Sequence, residues 1–468
     1  MNASPAKDAQ ARLRALPSVS EADKHLAARG LPSGKPVRGQ VTAVLERYRA
    51  TLLAEAGRPA PPREEVLRAI EQSVSRPAPH QLRRVINATG VVVHTNLGRA
   101  VLPAALTEAA APLLHGYINL EYNLETGRRG SRGGRVPELL AQLAGAEAGL
   151  VVNNNASAVL LLLSALAAGR EVIVSRGELV EIGGSFRVPD IMRASGARLV
   201  EVGTTNRTRI ADYAEAITPD TAALLKVHRS NFTLSGFTEE ASVAELAGVA
   251  HERGLAVWHD LGSGNFYRFN QPALHHLPTV AQEVAAGADV VTLSGDKLLG
   301  SVQAGIVVGR AEPLARMRKH PLYRALRVDR VRAALLEQSL LAYLEIDRLR
   351  SHNTVIDLLE RTPAEMEPLA QSLLAALKPV EGRGLAWELV ADQSLAGGGA
   401  VPEVRIPTLC LALHRPGTDG EALSAALRAH EPPIVARLQD GRVLLDFRTL
   451  FPHDLPDVAA AITALCPA

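Results

Sequence analysis

Apolar residues follow two different patterns along the chain, and the change comes near residue 84. From Ala11 to Arg76, leucine and alanine recur at helical spacing among scattered charges, which predicts three or four helices. Beyond residue 84, short continuous runs of valine, isoleucine and leucine alternate with longer amphipathic stretches. The pattern therefore predicts a small helical domain over residues 1–84, which ends in a linker marked by Pro77 and Pro79.

The short apolar runs after residue 84 predict strands that are buried on both faces. Six such runs lie at 149–154, 171–175, 197–203, 222–228, 255–260 and 288–294. Continuous runs separated by helical patterns are typical of a parallel sheet that is covered by helices on both sides. We therefore expect an α/β fold with a doubly wound, mostly parallel sheet over residues 85–345.

The last part of the chain predicts a smaller domain. Helical sequence from about Val328 to Leu377 leads into three strand-like runs at 405–413, 433–438 and 442–448. Two helical patterns, Gly420–His430 and Asp454–Leu465, accompany these runs. We expect a C-terminal α+β domain over residues 346–468.

The distribution of charge adds to this picture only when the chain is divided at residue 84. The whole chain is nearly neutral, with 51 Lys+Arg against 49 Asp+Glu. Residues 1–84, however, hold 15 basic and 8 acidic side chains, so a basic first domain precedes an acidic remainder. Such an asymmetry indicates an anionic partner for the first domain, although a basic domain that only packs against a neighbouring subunit would look the same.

Cysteine content and apolar stretches indicate the compartment. The two cysteines, Cys410 and Cys466, are too few for a disulfide framework, which favours a reducing environment. The first residues lack the apolar core of a signal peptide, and the longest apolar stretch, Ala158–Ala168, is well short of the roughly 20 residues that span a bilayer. We expect a cytoplasmic protein without a membrane partner.

Three polar features follow predicted strands. Asp260 ends the run 255–260, Lys297 follows the run 288–294, and the turn Asn153–Ser157 joins a strand to a helix. Ligands bind at the carboxyl ends of the strands in a parallel sheet. A Schiff-base lysine, a carboxylate for the pyridinium nitrogen and a helix N-terminus for the phosphate are what a pyridoxal phosphate site requires. Each feature also has an ordinary alternative, such as a cap or a solvated surface charge.

Six longer segments occur in a characteristic order: INATGVVVHTNLGRA (86–100), YNLETGRRGSRGGRVPELL (122–140), VVNNNASAVLLLLSALA (151–167), VGTTNRT (202–208), HDLGSG (259–264) and LSGDKLLGSVQAGIVVG (293–309). Together they resemble the bacterial selenocysteine synthases, the L-seryl-tRNA(Sec) selenium transferases, over nearly the whole chain. The resemblance implies a fold-type I pyridoxal phosphate transferase that assembles as a homodecameric ring of dimers.

The resemblance also implies roles for the residues at the strand ends. Lys297 would be the Schiff-base lysine and Asp260 the partner of the pyridine nitrogen. The phosphate would be surrounded by Asn154, Asn155 and Ala156, with Ser294 as a contributor.

Several neighbouring residues keep more than one interpretation. Asp296, next to the lysine, could assist proton transfer, orient an arginine or form a simple local ion pair. His228 and Asn231 follow a strand and could contact the cofactor ring or act as caps. The run GRRGSRGGR (127–135) could pass for a disordered nucleic-acid tail, but its place between helical segments favours an ordered substrate loop.

An anion site for selenophosphate is implied at three arginines, Arg99, Arg324 and Arg327. A guanidinium group bonds phosphate oxygens in a bidentate manner and stays charged. If that stretch is helical, the spacing of three would place Arg324 and Arg327 on one face. Without the resemblance, these arginines would be interpreted as surface salt-bridge partners.

The implied activity is the pyridoxal phosphate-dependent conversion of seryl-tRNA(Sec) to selenocysteinyl-tRNA(Sec), through an aminoacrylate, with selenophosphate as the selenium donor. Residues 1–84 would bind the tRNA through its phosphates. One alternative is a related fold-type I lyase that acts on a small phosphorylated amino acid without tRNA, and it would be expected to lack the basic domain. A non-catalytic RNA-binding or scaffold protein is the other, and it would not need Lys297 and Asp260.

Overall fold

The structure, a computed structural model, describes residues 11–55, 57, 59–75, 82–130, 132–182, 186–398, 401–417 and 419–466. Its contacts divide the chain into two compact units, Met1–Arg84 and Val85–Ala468. The predicted linker residues Pro77 and Pro79 lie outside the described residues.

The first unit is a small helical bundle with an apolar core of its own. Three of its helices are α1 (Val19–Ala28), α2 (Arg38–Ala54) and α3 (Arg63–Ser75). All three helices contribute to the core, whose most buried side chains include Leu26, Val41, Leu45 and Ile70. Because helices this short are marginal alone, their mutual burial of apolar faces stabilises the bundle.

A seven-stranded sheet forms the centre of the second unit. Numbered along the chain, its strands are β4 (Ala148–Val152), β5 (Glu171–Ser175), β8 (Arg198–Val202), β9 (Thr221–Val227), β10 (Ala256–Gly262), β11 (Val290–Ser294) and β12 (Gly305–Gly309). Their order across the sheet is β4-β12-β11-β10-β9-β5-β8. Only β12 runs against its two neighbours, and the other pairs in this sheet are parallel.

Alternate residues of each central strand enter two different apolar cores. Ile173, Leu224 and Val257 belong to one core, whereas Val172 and Trp258 belong to the other. Because successive side chains of a strand point to opposite faces, both faces of this sheet are covered. The structure thus confirms the predicted α/β fold with a mostly parallel sheet. The sequence patterns did not predict β12, a short strand with glycine at both ends.

Helices cover this sheet and continue into the C-terminal part of the unit. They are α4 (Ala104–His115), α5 (Val136–Ala144), α6 (Asn155–Leu166), α7 (Val188–Ser195), α8 (Ile210–Ala216), α9 (Val243–Glu252), α10 (Val280–Ala285), α11 (Ala311–Lys319), α12 (Pro321–Leu326), α13 (Arg330–Ala342), α14 (Leu349–His352), α15 (Thr354–Glu360), α16 (Pro363–Leu377), α17 (Gly420–Ala429) and α18 (Leu455–Leu465). Among the described residues, none of the helices combines the length and the apolar character that a membrane crossing requires.

A second sheet of five strands lies in the same unit. Its strands are β1 (Ile86–Ala88), β13 (Ala386–Gly397), β14 (Val401–His414), β15 (Ile434–Gln439) and β16 (Arg442–Asp446), in the order β1-β15-β16-β14-β13. The pair β1 and β15 is parallel, and the other pairs are antiparallel. Strand β1 therefore lies in the C-terminal sheet, although the sequence assigned residues 85–345 to one domain. The division at residue 345 stays a prediction.

Two short hairpins complete the strands. One pairs β2 (Tyr122–Asn123) with β3 (Arg128–Arg129), and the other pairs β6 (Glu181–Ile182) with β7 (Phe186–Arg187). The first hairpin begins before the arginine-rich run 127–135, and its second strand, β3, lies within that run. That run is ordered on both sides of Ser131, which lies outside the described residues.

Candidate active site

Asp260 lies two residues before the end of β10, where its carboxylate is buried and held by two donors. Its Oδ1 accepts hydrogen bonds from Nδ2 of Asn155 at 2.7 Å and from Oγ1 of Thr292 at 3.2 Å. Burial raises the pKa of Asp260, while the Asn155 hydrogen bond and the charge of Lys297 act in the opposite direction. A buried carboxylate in this position would be stabilised further by a cationic partner.

Lys297 follows β11, the neighbour of β10 in the sheet, and is only 6% exposed. Burial lowers the pKa of Lys297 to about 8, although the charge of Asp260 opposes that shift. Among the described residues, its Nζ has no hydrogen-bond or ion-pair partner. Nζ and Oδ1 of Asp260 both lie 3.9 Å from the point that a Cβ at Gly262 would occupy. The two predicted residues therefore face the same small space.

Helix α6 begins directly after β4, at the predicted phosphate turn. Asn154 is its N-cap residue, and its side chain accepts a 2.8 Å hydrogen bond from the N–H of Ser157. The first amide groups of the helix, on Asn155 and Ala156, have no partner within the helix and can bind an anion. A phosphate contact of these residues stays a prediction. The Asn155 side chain instead contacts Asp260, which the sequence did not predict.

Asp296 and Arg99 form an ion pair beside the lysine. Nη1 of Arg99 donates to Oδ2 of Asp296 at 2.7 Å, and the N–H of Ala100 donates to the Asp296 carbonyl at 3.3 Å. Arg99 has a left-handed backbone with φ of 64°, which is uncommon outside glycine. The other carboxylate oxygen, Oδ1 of Asp296, is buried without a partner among the described residues.

The predicted residues Arg324 and Arg327 line a common cavity of about 240 Å³, which we call the arginine pocket. The side chains that line it are those of Glu121, Arg129, Arg132, Arg318, Tyr323, Arg324 and Arg327. Helix α12 ends at Leu326, and Arg327 follows in an extended conformation. The condition for a shared helix face is therefore not met, because the helix ends before Arg327. Arg99 does not line this pocket and pairs with Asp296 instead.

Two of the pocket arginines, Arg129 and Arg132, belong to the arginine-rich run 127–135, and the sequence patterns did not identify them as site residues. Nη2 of Arg129 and Nη1 of Arg132 both donate to the carboxylate of Glu121, at 2.8 and 2.6 Å. Nε of Arg132 also donates to the carbonyl of Val328 at 3.0 Å. The density of arginines in the run was the signal that could have identified them.

His228 and Asn231 lie in the segment that follows β9. The N–H of His228 donates to the carbonyl of Asp260 at 2.9 Å, and the His228 side chain lines a separate cavity of about 560 Å³. Nδ2 of Asn231 donates to the carbonyl of Glu181 at 2.5 Å. A contact of His228 with a cofactor ring stays a prediction. Ser294, the last residue of β11, is buried. It precedes Lys297 by three positions in the sequence.

Comparison with known proteins adds to this geometry. The family model described as L-seryl-tRNA selenium transferase matches residues 85–451. This chain belongs to that family. The resemblance seen in the sequence is thereby confirmed.

Relatives that carry the name L-seryl-tRNA(Sec) selenium transferase extend the similarity beyond the matched region. A protein of Solidesulfovibrio magneticus with the name L-seryl-tRNA(Sec) selenium transferase is 48% identical over 438 residues, covering 92% of each chain. A protein of Moorella thermoacetica with the same name is 46% identical over 459 residues, covering 96% of each chain. An alignment of that length must include most of the first unit.

A solved structure shares the fold at much lower identity. The structure of D-glucosaminate-6-phosphate ammonia-lyase is 21% identical, with a TM-score of 0.59, and the match covers 82% of this chain and 96% of the lyase. At this identity, the likeness shows the fold of this chain and not its substrate.

Proposed function

We propose that this protein converts seryl-tRNA(Sec) to selenocysteinyl-tRNA(Sec), with pyridoxal phosphate as cofactor and selenophosphate as selenium donor. The observation that carries the proposal is the buried pair of Lys297 and Asp260, at the ends of two adjacent parallel strands in a chain of this family. Relatives at 46–48% identity carry the corresponding name.

The side chains around this pair fit pyridoxal phosphate. Lys297 would attach the cofactor through its amine, Asp260 would pair with the ring nitrogen, and the N-terminus of α6 would hold the phosphate. The raised pKa of Asp260 supports this assignment, because a cationic ring nitrogen would stabilise a carboxylate that burial disfavours. When bound, the cofactor supplies an electron sink for negative charge at the seryl Cα.

Two side chains can then move protons. Lys297, with a pKa of about 8, is partly neutral near neutral pH, so its Nζ can take the proton from the seryl Cα. Asp296 is held by Arg99, while its Oδ1 lacks a partner among the described residues. We assign to this oxygen the relay of that proton from Nζ of Lys297 to the seryl β-hydroxyl, which leaves as water.

The arginine pocket supplies the candidate site for selenophosphate. Arg324 is exposed, and it forms no ion pair with any described residue. Guanidinium groups at Arg324 and Arg327 can bond the phosphate oxygens and hold the donor while selenium moves to the β-carbon of the substrate. As the P–Se bond breaks, a water would add to the phosphorus, and orthophosphate would remain in the pocket afterwards.

The first unit is the candidate site for the tRNA. Lys35, Arg38 and Arg47 are exposed and have no ion-pair partner among the described residues. Other basic residues of the unit are paired, such as Arg63 with Glu21 at 2.8 Å. Unpaired surface cations can neutralise RNA phosphates and release counterions. A tRNA substrate also favours the cytoplasm as the site of the reaction.

An apolar surface supports the proposal of a homo-oligomer, for which the resemblance implies a decameric ring. A groove between α4 and α13 is lined by Leu106 and Leu341. The nearby chain exposes Val101 by 46%, Leu344 by 43% and Ile346 by 54%. Exposed apolar patches of this kind are common at subunit contacts. The mass in solution, as a multiple of 49.7 kDa, gives the number of subunits.

The decisive experiment measures selenocysteinyl-tRNA(Sec) formed from seryl-tRNA(Sec) and selenophosphate. We expect product with the wild-type protein and none with Lys297→Ala, which should also lose the visible absorbance of lysine-bound cofactor. Lys319→Ala, at an exposed lysine of α11, is the matched control and should keep both signals. Equal turnover of free serine would contradict the tRNA-dependent reaction and favour the lyase alternative.

A further inference from the structure

The arginine pocket contains a carboxylate of its own, that of Glu121. Arg132 donates to Oε1 of Glu121 at 2.6 Å, Arg129 donates to Oε2 at 2.8 Å, and Arg327 lies 3.5 Å from Oε1. Three of the five guanidinium groups in the pocket thus face one acidic side chain. Among the described residues that line the pocket, it is the sole acid.

These contacts keep Glu121 charged but do not bury it. The hydrogen bonds from Arg132 and Arg129 lower the pKa of Glu121. Its side chain is nevertheless 26% exposed, so solvent screens its attraction to the arginines. Glu121 also directly precedes the short hairpin of β2 and β3, at the surface of the unit. The carboxylate can therefore leave the arginines for water at modest cost.

An oxyanion that binds at Arg129, Arg132 or Arg327 needs the N–H groups that face Glu121. Phosphate and sulfate are bound by guanidinium forks, and the forks of Arg129 and Arg132 now point at Glu121. Any anion that uses these donors must displace the Glu121 carboxylate. The cost of that displacement is the same for every anion, whatever the charge of the anion.

We propose that Glu121 sets the affinity of this pocket for oxyanions, as an internal anion that competes with the ligand for Arg129, Arg132 and Arg327. The inference rests on the assignment of this pocket to selenophosphate under the proposed function. Competition lowers the affinity of every oxyanion by the same factor, so at a given concentration only anions that bind these arginines strongly occupy the pocket. It also helps the remaining orthophosphate to leave, because Glu121 returns to the arginines.

Binding of simple anions to the cofactor-loaded protein tests this role without catalysis. Sulfate serves as the dianion and nitrate as the monoanion, and calorimetry at low ionic strength measures their affinities for wild type and Glu121→Gln. We expect the variant to bind both anions more tightly by a common factor on the order of fivefold to tenfold, because it loses two or three partly exposed ion pairs.

Glu125→Gln is the matched control. Glu125 lies in the same hairpin and is exposed, it does not line the pocket, and it has no ion pair with the described residues. The substitution makes the same change in charge and should leave both affinities unchanged. Glu121→Ala is the second variant, and thermal melting of each protein establishes that it is folded.

Each other outcome has a distinct meaning. If Glu121→Gln binds sulfate no better than wild type, Glu121 only orients the arginines and the inference is overturned. A larger gain for sulfate than for nitrate would also overturn it, because a fixed carboxylate that merely repels acts more strongly on the dianion.

Substitution of a pocket arginine distinguishes failure of the inference about Glu121 from failure of the assignment of the arginine pocket as an anion site. If Arg327→Gln leaves sulfate binding of the wild-type protein unchanged, the pocket does not bind anions, and the assignment to selenophosphate fails as well. When sulfate binding depends on Arg327 but not on Glu121, only the inference fails. Absence of binding to wild type and to Glu121→Gln contradicts both. In turnover assays, competition predicts that the inhibition constant of orthophosphate falls in Glu121→Gln by the same factor.

Discussion

The side-chain amide of Asn155 donates a 2.7 Å hydrogen bond to Oδ1 of Asp260, although the two residues are 105 positions apart in the sequence. Asn155 is the first residue of α6, so the helix whose N-terminus would hold a phosphate also fixes the carboxylate of the ring-nitrogen site. The geometry links two parts of the proposed cofactor site through one side chain.

Replacement of Asn155 by alanine should weaken cofactor binding. The hydrogen bond lowers the pKa of Asp260, so its loss makes the buried acid easier to neutralise and a poorer partner for a protonated ring nitrogen. A lost hydrogen bond to a charged group weakens binding by about tenfold or more. Absorbance titration of the apoprotein with pyridoxal phosphate measures the effect. The exposed Asn119→Ala is the control, and an unchanged affinity in Asn155→Ala would refute the link.

The rate of cofactor attachment should depend on pH with a midpoint near the lowered pKa of Lys297. Only the neutral amine reacts with the aldehyde, and burial lowers the pKa of Lys297 from 10.5 to about 8. The rate should therefore rise with pH and level off above about 8, as stopped-flow absorbance would show.

The neighbours of Lys297 should move that midpoint in opposite directions. The charge of Arg99 lowers the pKa of Lys297 and the charge of Asp296 raises it. Arg99→Gln should thus shift the midpoint to higher pH, and Asp296→Asn to lower pH. Shifts of the same sign in both variants would contradict the observed arrangement.

Charges on the first unit should control the salt dependence of tRNA binding. Each unpaired cation that neutralises a phosphate contributes about one to the slope of log affinity against log salt. Replacing both Lys35 and Arg38 by glutamine should therefore reduce the slope by about 1–2 and weaken binding, as filter binding at several salt concentrations would measure. Glutamine at the exposed Arg253 and Arg383 of the second unit is the control. Deletion of residues 1–84 with no change in affinity or slope would exclude the unit as the tRNA site.

A methyl group at Gly305 should disturb the phosphate turn. A Cβ there would lie 2.0 Å from the carbonyl oxygen of Asn154 and 2.9 Å from Cγ2 of Val152. Gly305→Ala should therefore force β12 away from the turn, destabilise the protein by about 2 kcal/mol and weaken cofactor binding. Gly248→Ala is the control, since nothing lies within 4 Å of a Cβ in the middle of α9. Thermal melting should show a lower Tm for the first variant only.

Local sequence patterns predicted much of this structure. Continuous apolar runs reported which segments are buried on both faces, and Asp260 and Lys297 each stood where such a run ended. Parallel strands bring their carboxyl ends to one edge of the sheet, so those two residues could be paired before the fold was known. Likewise, the Asn-rich turn 153–157 before an apolar run predicted a helix N-terminus in this region, and the helix begins at Asn155, inside the predicted turn.

Other relationships were decided by the tertiary structure alone. Glu121 meets Arg327 across 206 positions of sequence, Asn155 turns to Asp260, and β1 joins the C-terminal sheet rather than the large one. Periodicity reports whether a side chain is buried, but not which partner it meets. The partner depends on how all the elements pack together and on which hydrogen-bond donors and acceptors that packing leaves without a partner. A local stretch of sequence determines neither the packing nor the remaining donors and acceptors.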